Sequence, residues 1–137
     1  MSVTLFFFLL VKHFICDFAL QGRFNKDMPH DKHKLFTSKK GHLHAGDHGI
    51  GTAFIFMCVC IVLLLRGHPL AIAWAIVLFG LFDYVCHLVI DWLKNNFCRA
   101  NGWTFPNREF WIVTSVDQTL HALTYLAIVI LFDIYFV

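Results

Sequence analysis

Charge is scarce in this chain. Only 15% of its 137 residues are Asp, Glu, Lys or Arg, against 58% hydrophobic and 17% aromatic, and phenylalanine alone occurs sixteen times. With a mean hydropathy of +0.66, so little charge excludes an ordinary soluble domain and fits a membrane protein. Cysteine occurs five times, at Cys16, Cys58, Cys60, Cys86 and Cys98, but no two form a CxxC pair. That absence removes the simplest thiolate metal motif, and the five read as small buried residues in apolar segments. Cys86 adjoins His87, yet helix neighbours point about 100° apart, so it is not counted as a ligand. There is no internal repeat and no low-complexity tract, and the length allows one domain, 1–137. No basic residue precedes the first apolar run, which argues against a signal peptide and for a retained first helix. The net charge of +2 gives no reason to expect a nucleic-acid partner.

What is present is apolar length. A spanning helix needs about 20 largely apolar residues, and four such segments with their loops fill the chain. The predicted fold is therefore all-α, a polytopic membrane four-helix bundle with up-down topology and spans at 3–21, 44–65, 70–94 and 109–136. The first span has a short unbroken core, Val3–Val11, followed by Lys12, His13 and Asp17. The second opens on the polar run HLHAGDHG and becomes apolar from Ile50, while Gly46, Gly49 and Gly51 permit close helix packing. The third starts just after Pro69. Two polar loops, Gly22–Gly41 and Asn95–Asn107, together with Lys94 and Arg108 at their borders, hold nine of the eleven Lys and Arg residues. Arg66 stands alone on the opposite side. The positive-inside rule puts both loops in the cytoplasm and both termini outside. The first loop also carries His30 and His33, and reads as a solvated basic loop near lipid headgroups rather than a metal-binding one.

The stretch FDYVCHLVIDWLK, Phe82–Lys94, sets an ionisable stripe into an apolar helix. Asp83, His87 and Asp91 are each four residues apart and so share a face. Such a stripe is costly unless its members are paired, bound to metal or set along a wet cavity. The device recurs as His13 and Asp17 in the first span, His44 and His48 in the second, His87 and Asp91 in the third, and Asp117 and His121 in the fourth. These residue types bind zinc, manganese or iron. In an up-down bundle all four pairs fall in the same half, so the eight groups can share one layer just under the cytoplasmic face. Eight ligands exceed one tetrahedral zinc and suit two ions per chain, a centre that activates water and clamps a phosphoryl or carbonyl oxygen. Asp91 and Asp117 are the carboxylates assigned to catalysis, as ligands or, if one is left unbound, as general base. Gln21, Lys94, Gln118 and Asp83 are expected behind the ligands, with Asp83 equally suited to lining a channel. His42 would replace His44 if the second helix started late, and His68 reads as a turn residue. A purely polar network or an ion path is the competing reading of the same stripe.

The motifs KHFICDFALQ, HLHAGDH, HLVIDWLK and VDQTLH resemble those of a family of small four-helix membrane proteins of unknown function from bacteria and their phages. The resemblance covers most of the chain, implies a bacterial inner membrane and carries no established activity. More distantly, the ligand set is similar to that of integral membrane metal-dependent hydrolases, and to zinc phospholipase C and P1-type nucleases, although the N-terminal Trp ligand of the latter is missing here. Fold-level analogy of this kind concerns a site, not a shared reaction.

These observations favour a membrane metal-dependent hydrolase acting on a phosphoester or ester of a lipid or lipid-linked substrate. Lys94 and the loop lysines would attract an anionic headgroup. The alternatives are a proton- or metal-conducting membrane protein, expected as a homo-oligomer, and a non-catalytic phage protein that binds a host membrane partner. Beyond Asp83 the chain offers few polar groups for a path to the far face, which favours the enzyme.

Overall fold

The computed structural model describes residues 2–20, 32 and 34–137. Gln21, His30 and His33 lie outside the described residues. Among the described residues the fold consists of four long helices: α1 (Ser2–Phe14), which continues as a π-helical segment (Ile15–Leu20), α2 (Lys39–Leu65), α3 (Trp74–Ala100) and α4 (Arg108–Phe136), with a 3-10 turn (Leu70–Ala73) leading into α3. All four, with α1 counted through Leu20, are long and apolar enough to cross a membrane. At about 1.5 Å per residue, a 27-residue helix reaches about 40 Å, against a hydrocarbon core of about 30 Å.

The helix ends differ from the sequence expectation for identifiable reasons. Helix α2 begins at Lys39 rather than 44 because Ser38 is its N-cap, its hydroxyl accepting from the Gly41 amide at 2.8 Å. Helix α3 continues past Lys94 to Ala100. The side-chain amides of Asn95 and Asn96 turn back onto the carbonyls of Asp91 and Trp92, so these polar residues extend the helix instead of opening a loop. Both α2 and α3 close on a glycine with positive φ, Gly67 and Gly102. In each case the glycine and the residue after it donate to carbonyls of the last turn: Gly67 to Leu64 and His68 to Leu63, Gly102 to Arg99 and Trp103 to Cys98.

Helix α2 packs on α3, α3 on α4, α4 on α1 and α1 on α2, so the four close a ring. The tightest approach is between α2 and α3. A Cβ placed on Gly49 would lie 2.8 Å from the Gly80 carbonyl oxygen and 2.9 Å from Tyr84 Cβ, so only glycine lets the two backbones meet there. A Cβ on Gly51 would meet the Lys12 side chain at 2.8 Å, and this gap admits the lysine stem between α1 and α2.

The distribution of residues is inverted relative to a soluble bundle. Phe7, Phe54, Val77, Leu81, Ile112 and Ile130 are exposed on the outside, while His13, His44, His48, His87, His121, Asp83 and Asp117 are buried within. That pattern is consistent with an integral membrane protein. The interior has two halves. One is apolar, built from Leu5, Leu9, Phe56, Cys60, Leu63, Ile72, Ala75, Phe79, Ile128, Val129 and Phe132. The other holds the polar cluster.

Candidate metal centre

Each helix delivers its polar pair to the same place. The π-helical segment after α1 carries Asp17, and the preceding turn carries His13. Such widened turns often occur at functional sites. Helices α2, α3 and α4 deliver His44 and His48, His87 and Asp91, and Asp117 and His121. All eight residues singled out from spacing come together. Three overlapping groups can offer ligand atoms within 4.8 Å of one another: Asp17, His44, His48 and His87; His13, His87 and His121; and Asp91, Asp117 and His121. For comparison, two ligands of one tetrahedral ion at about 2.1 Å stand about 3.4 Å apart.

His87 is the centre of the cluster. Its ring stacks on His48 at 3.6 Å and on His121 at 4.2 Å between centroids, with His44 edge-on at 4.9 Å. It is 1% exposed, and neither ring nitrogen has a hydrogen-bond partner among the described residues. Its Nε2 is 3.9 Å from Asp91 Oδ1, too far for a hydrogen bond. His44 Nδ1, His48 Nδ1, His121 Nε2 and Asp117 Oδ1 are likewise buried without partners among the described residues. Each unsatisfied buried polar atom costs about 1–3 kcal/mol. Several such atoms lie among these imidazoles and carboxylates, a donor set suited to a divalent transition metal.

The carboxylates are oriented differently from one another. Asp17 Oδ1 faces His48 Nε2 at 3.1 Å and His44 Nε2 at 3.2 Å, while Oδ2 faces His13 Nε2 and the Gln118 amide, each at 3.2 Å. Asp91 pairs with Lys32 at 2.6 Å and Asp117 with Lys94 at 3.0 Å. Of the residues expected behind the ligands, Gln118 touches His13, Asp17 and Asp117, and Lys94 touches Asp117. His42 does not substitute for His44; its Nδ1 is 2.6 Å from the Tyr84 hydroxyl of α3, and both residues are half-buried.

Asp83, expected behind the ligands, lies apart from the imidazoles in a second polar tier whose other members sequence reasoning missed. Its Oδ2 accepts from Lys12 Nζ at 2.6 Å and from Thr52 Oγ1 at 2.5 Å. Lys12 also donates to the Tyr125 hydroxyl at 3.1 Å and the His48 carbonyl at 3.4 Å, so its three protons have three acceptors. Tyr125 Oη is in turn 3.0 Å from His13 Nδ1. The signal for two of these residues was available: Thr52 follows His48, and Tyr125 follows His121, by the same four-residue step that picked out the pairs.

Beyond this tier the interior is closed by Phe56, Phe79 and Phe132, with ring centroids 4.8–6.1 Å apart. On the outside, an apolar groove of about 640 Å³ runs between α3 and α4, walled by residues that include Leu93, Phe97, Ile112 and Val116, with Lys94 and Asp117 on its lining.

A protein with four helices of membrane-spanning length and a buried cluster of histidines and aspartates is the class that fold and site define. Within that class, residues 5–136 match the family described as protein of unknown function (DUF3307), and the chain belongs to it. No curated protein and no solved structure matches the chain.

Proposed function

We propose that this chain is an integral membrane metal-dependent hydrolase of the bacterial inner membrane, acting on a phosphoester or ester of a lipid or lipid-linked substrate. The helices would alternate up and down, with the ligand layer near the cytoplasmic face, the basic loops in the cytoplasm and both termini outside. The observation that carries the reading is His87, a buried imidazole with two unpartnered nitrogens where two candidate ligand groups overlap.

Asp17, His44, His48 and His87 would hold one divalent ion, with zinc favoured over manganese or iron, and Asp91, Asp117 and His121 a second. Bound there, such ions supply water activation and polarise a phosphoryl or carbonyl oxygen. The remaining work falls to the chain. Lys32 and Lys94 hold Asp91 and Asp117 in place. The α3–α4 groove would give acyl chains an apolar wall that ends at the Lys94 ammonium and the Asp117 carboxylate, bringing an anionic headgroup beside the cluster. The buried Phe56, Phe79 and Phe132 rings disfavour the ion-conducting alternative, because among the described residues they part the Asp83, Thr52 and Tyr125 tier from the next polar pair, Ser2 and Asp133 at the far end.

The test is hydrolysis of headgroup-labelled phospholipids by the full chain in liposomes, with ion flux recorded in parallel. Asp91→Asn is expected to lower turnover by several orders of magnitude, each about 1.4 kcal/mol of barrier being tenfold. Asp83→Asn acts through Lys12 and is expected to cost about 10–100-fold. Ion flux that disappears in Asp83→Asn, without metal-dependent hydrolysis in the parent, would replace this reading with the conductor.

A further inference from the structure

Five imidazoles surround the centre, and four of them, His44, His48, His87 and His121, have at least one ring nitrogen without a partner among the described residues. His13 differs, with both nitrogens engaged. The protonation pattern of its surroundings follows from chemistry. The Gln118 side-chain nitrogen lies 3.2 Å from Asp17 Oδ2 and 3.3 Å from Asp117 Oδ2, both acceptors when ionised, which fixes the orientation of the amide. Gln118 Oε1 then faces His13 Nε2 at 3.1 Å and must accept from it. His13 therefore carries its proton on Nε2, and the lone pair of the neutral ring is on Nδ1. On that side Lys12 has only protons to offer, so the Tyr125 oxygen accepts from Lys12 and gives its own proton to His13 Nδ1.

We infer that His13 is not a ligand but a positioning residue, a donor locked in the Nε2–H tautomer by Tyr125 and Gln118 that holds Asp17. The inference rests on the metal reading above and assigns the roles within it. Asp17 Oδ2 is held by His13 Nε2 and Gln118, and Oδ1 is turned toward His44 and His48, the latter stacked on His87. A carboxylate ligand oriented by outer hydrogen bonds is a common arrangement in metal sites. The chain Lys12–Tyr125–His13–Asp17 thus ties the buried lysine tier to the metal-binding oxygen, and it removes His13 from the group it forms by distance with His87 and His121.

The experiment measures zinc binding, not activity, in the full chain purified in detergent. His13→Ala is expected to weaken zinc affinity about 10–100-fold while still binding at saturation, and His13→Gln, which restores an N–H donor, to recover most of that loss. His87→Ala is expected to abolish binding at the Asp17 set. Nitrogen-15 spectra of the zinc-loaded parent need no variant: the resonance assigned to His13 should show its proton on Nε2, with no metal-induced shift at that atom. A metal-induced shift at His13 Nε2, or zinc loss in His13→Ala as complete as in His87→Ala without rescue by glutamine, would overturn this inference alone. A parent that binds no zinc would overturn the metal reading and this inference together.

Discussion

Replacing Lys12 with methionine should expose how much of the fold depends on the tier beneath the cluster. Methionine retains the apolar stem that fits against Gly51 but loses the ammonium, whose three partners are Asp83, the Tyr125 hydroxyl and the His48 carbonyl. Asp83, 1% exposed, loses its cationic partner and keeps the neutral Thr52 hydroxyl. Breaking a buried pair from one side typically costs about 3–5 kcal/mol because a charge is left uncompensated. Replacing both sides with apolar residues is often near neutral. Lys12→Met should therefore lower stability by about 3–5 kcal/mol, and Lys12→Met/Asp83→Leu should recover about 2 kcal/mol or more. The assay is reversible unfolding of the full chain in mixed micelles, read as a double-mutant cycle. A double variant no more stable than Lys12→Met would refute the buried pair.

Other consequences follow from packing and topology. Gly49→Ala should cost about 1–3 kcal/mol, since its Cβ would meet the Gly80 carbonyl oxygen and Tyr84 Cβ. Gly46→Ala meets nothing within 4 Å and should be neutral or stabilising by up to about 1 kcal/mol, and the same unfolding assay compares the two. Lys34→Cys, in a background without the native cysteines, should react with an impermeant maleimide only after the membrane is opened. Labelling of intact cells would reverse the proposed orientation.

The site was more legible than the fold's details, because the four-residue step is a property of the helix itself. His13 with Asp17, His44 with His48, His87 with Asp91 and Asp117 with His121 could be paired from spacing, and the structure brings all four pairs into contact range. The second tier was missed where its members look apolar or fall off the stripe. Tyr125 and Thr52 continue the stripes of His121 and His48 but are common in membrane helices, whereas Lys12 is one residue from His13 and so about 100° around the helix. Its role depends on the gap at Gly51, which no local pattern reveals. The helix ends were misread at Asn95 and Asn96 because polar side chains can satisfy carbonyls inside a helix as well as leave it. The π-helical turn that carries Asp17 has no sequence signature comparable to a cap.

The central claim is that the buried cluster exists to hold metal. It is tested most directly by elemental analysis of the full chain, purified after metal-replete expression, before and after treatment with a chelator. The account predicts about two equivalents of a divalent transition metal per chain, lost on chelation, with the Asp17 equivalent absent from His87→Ala. Less than about a tenth of an equivalent in the parent protein would contradict it, leaving the five histidines and their carboxylates as a polar network with no ion to hold.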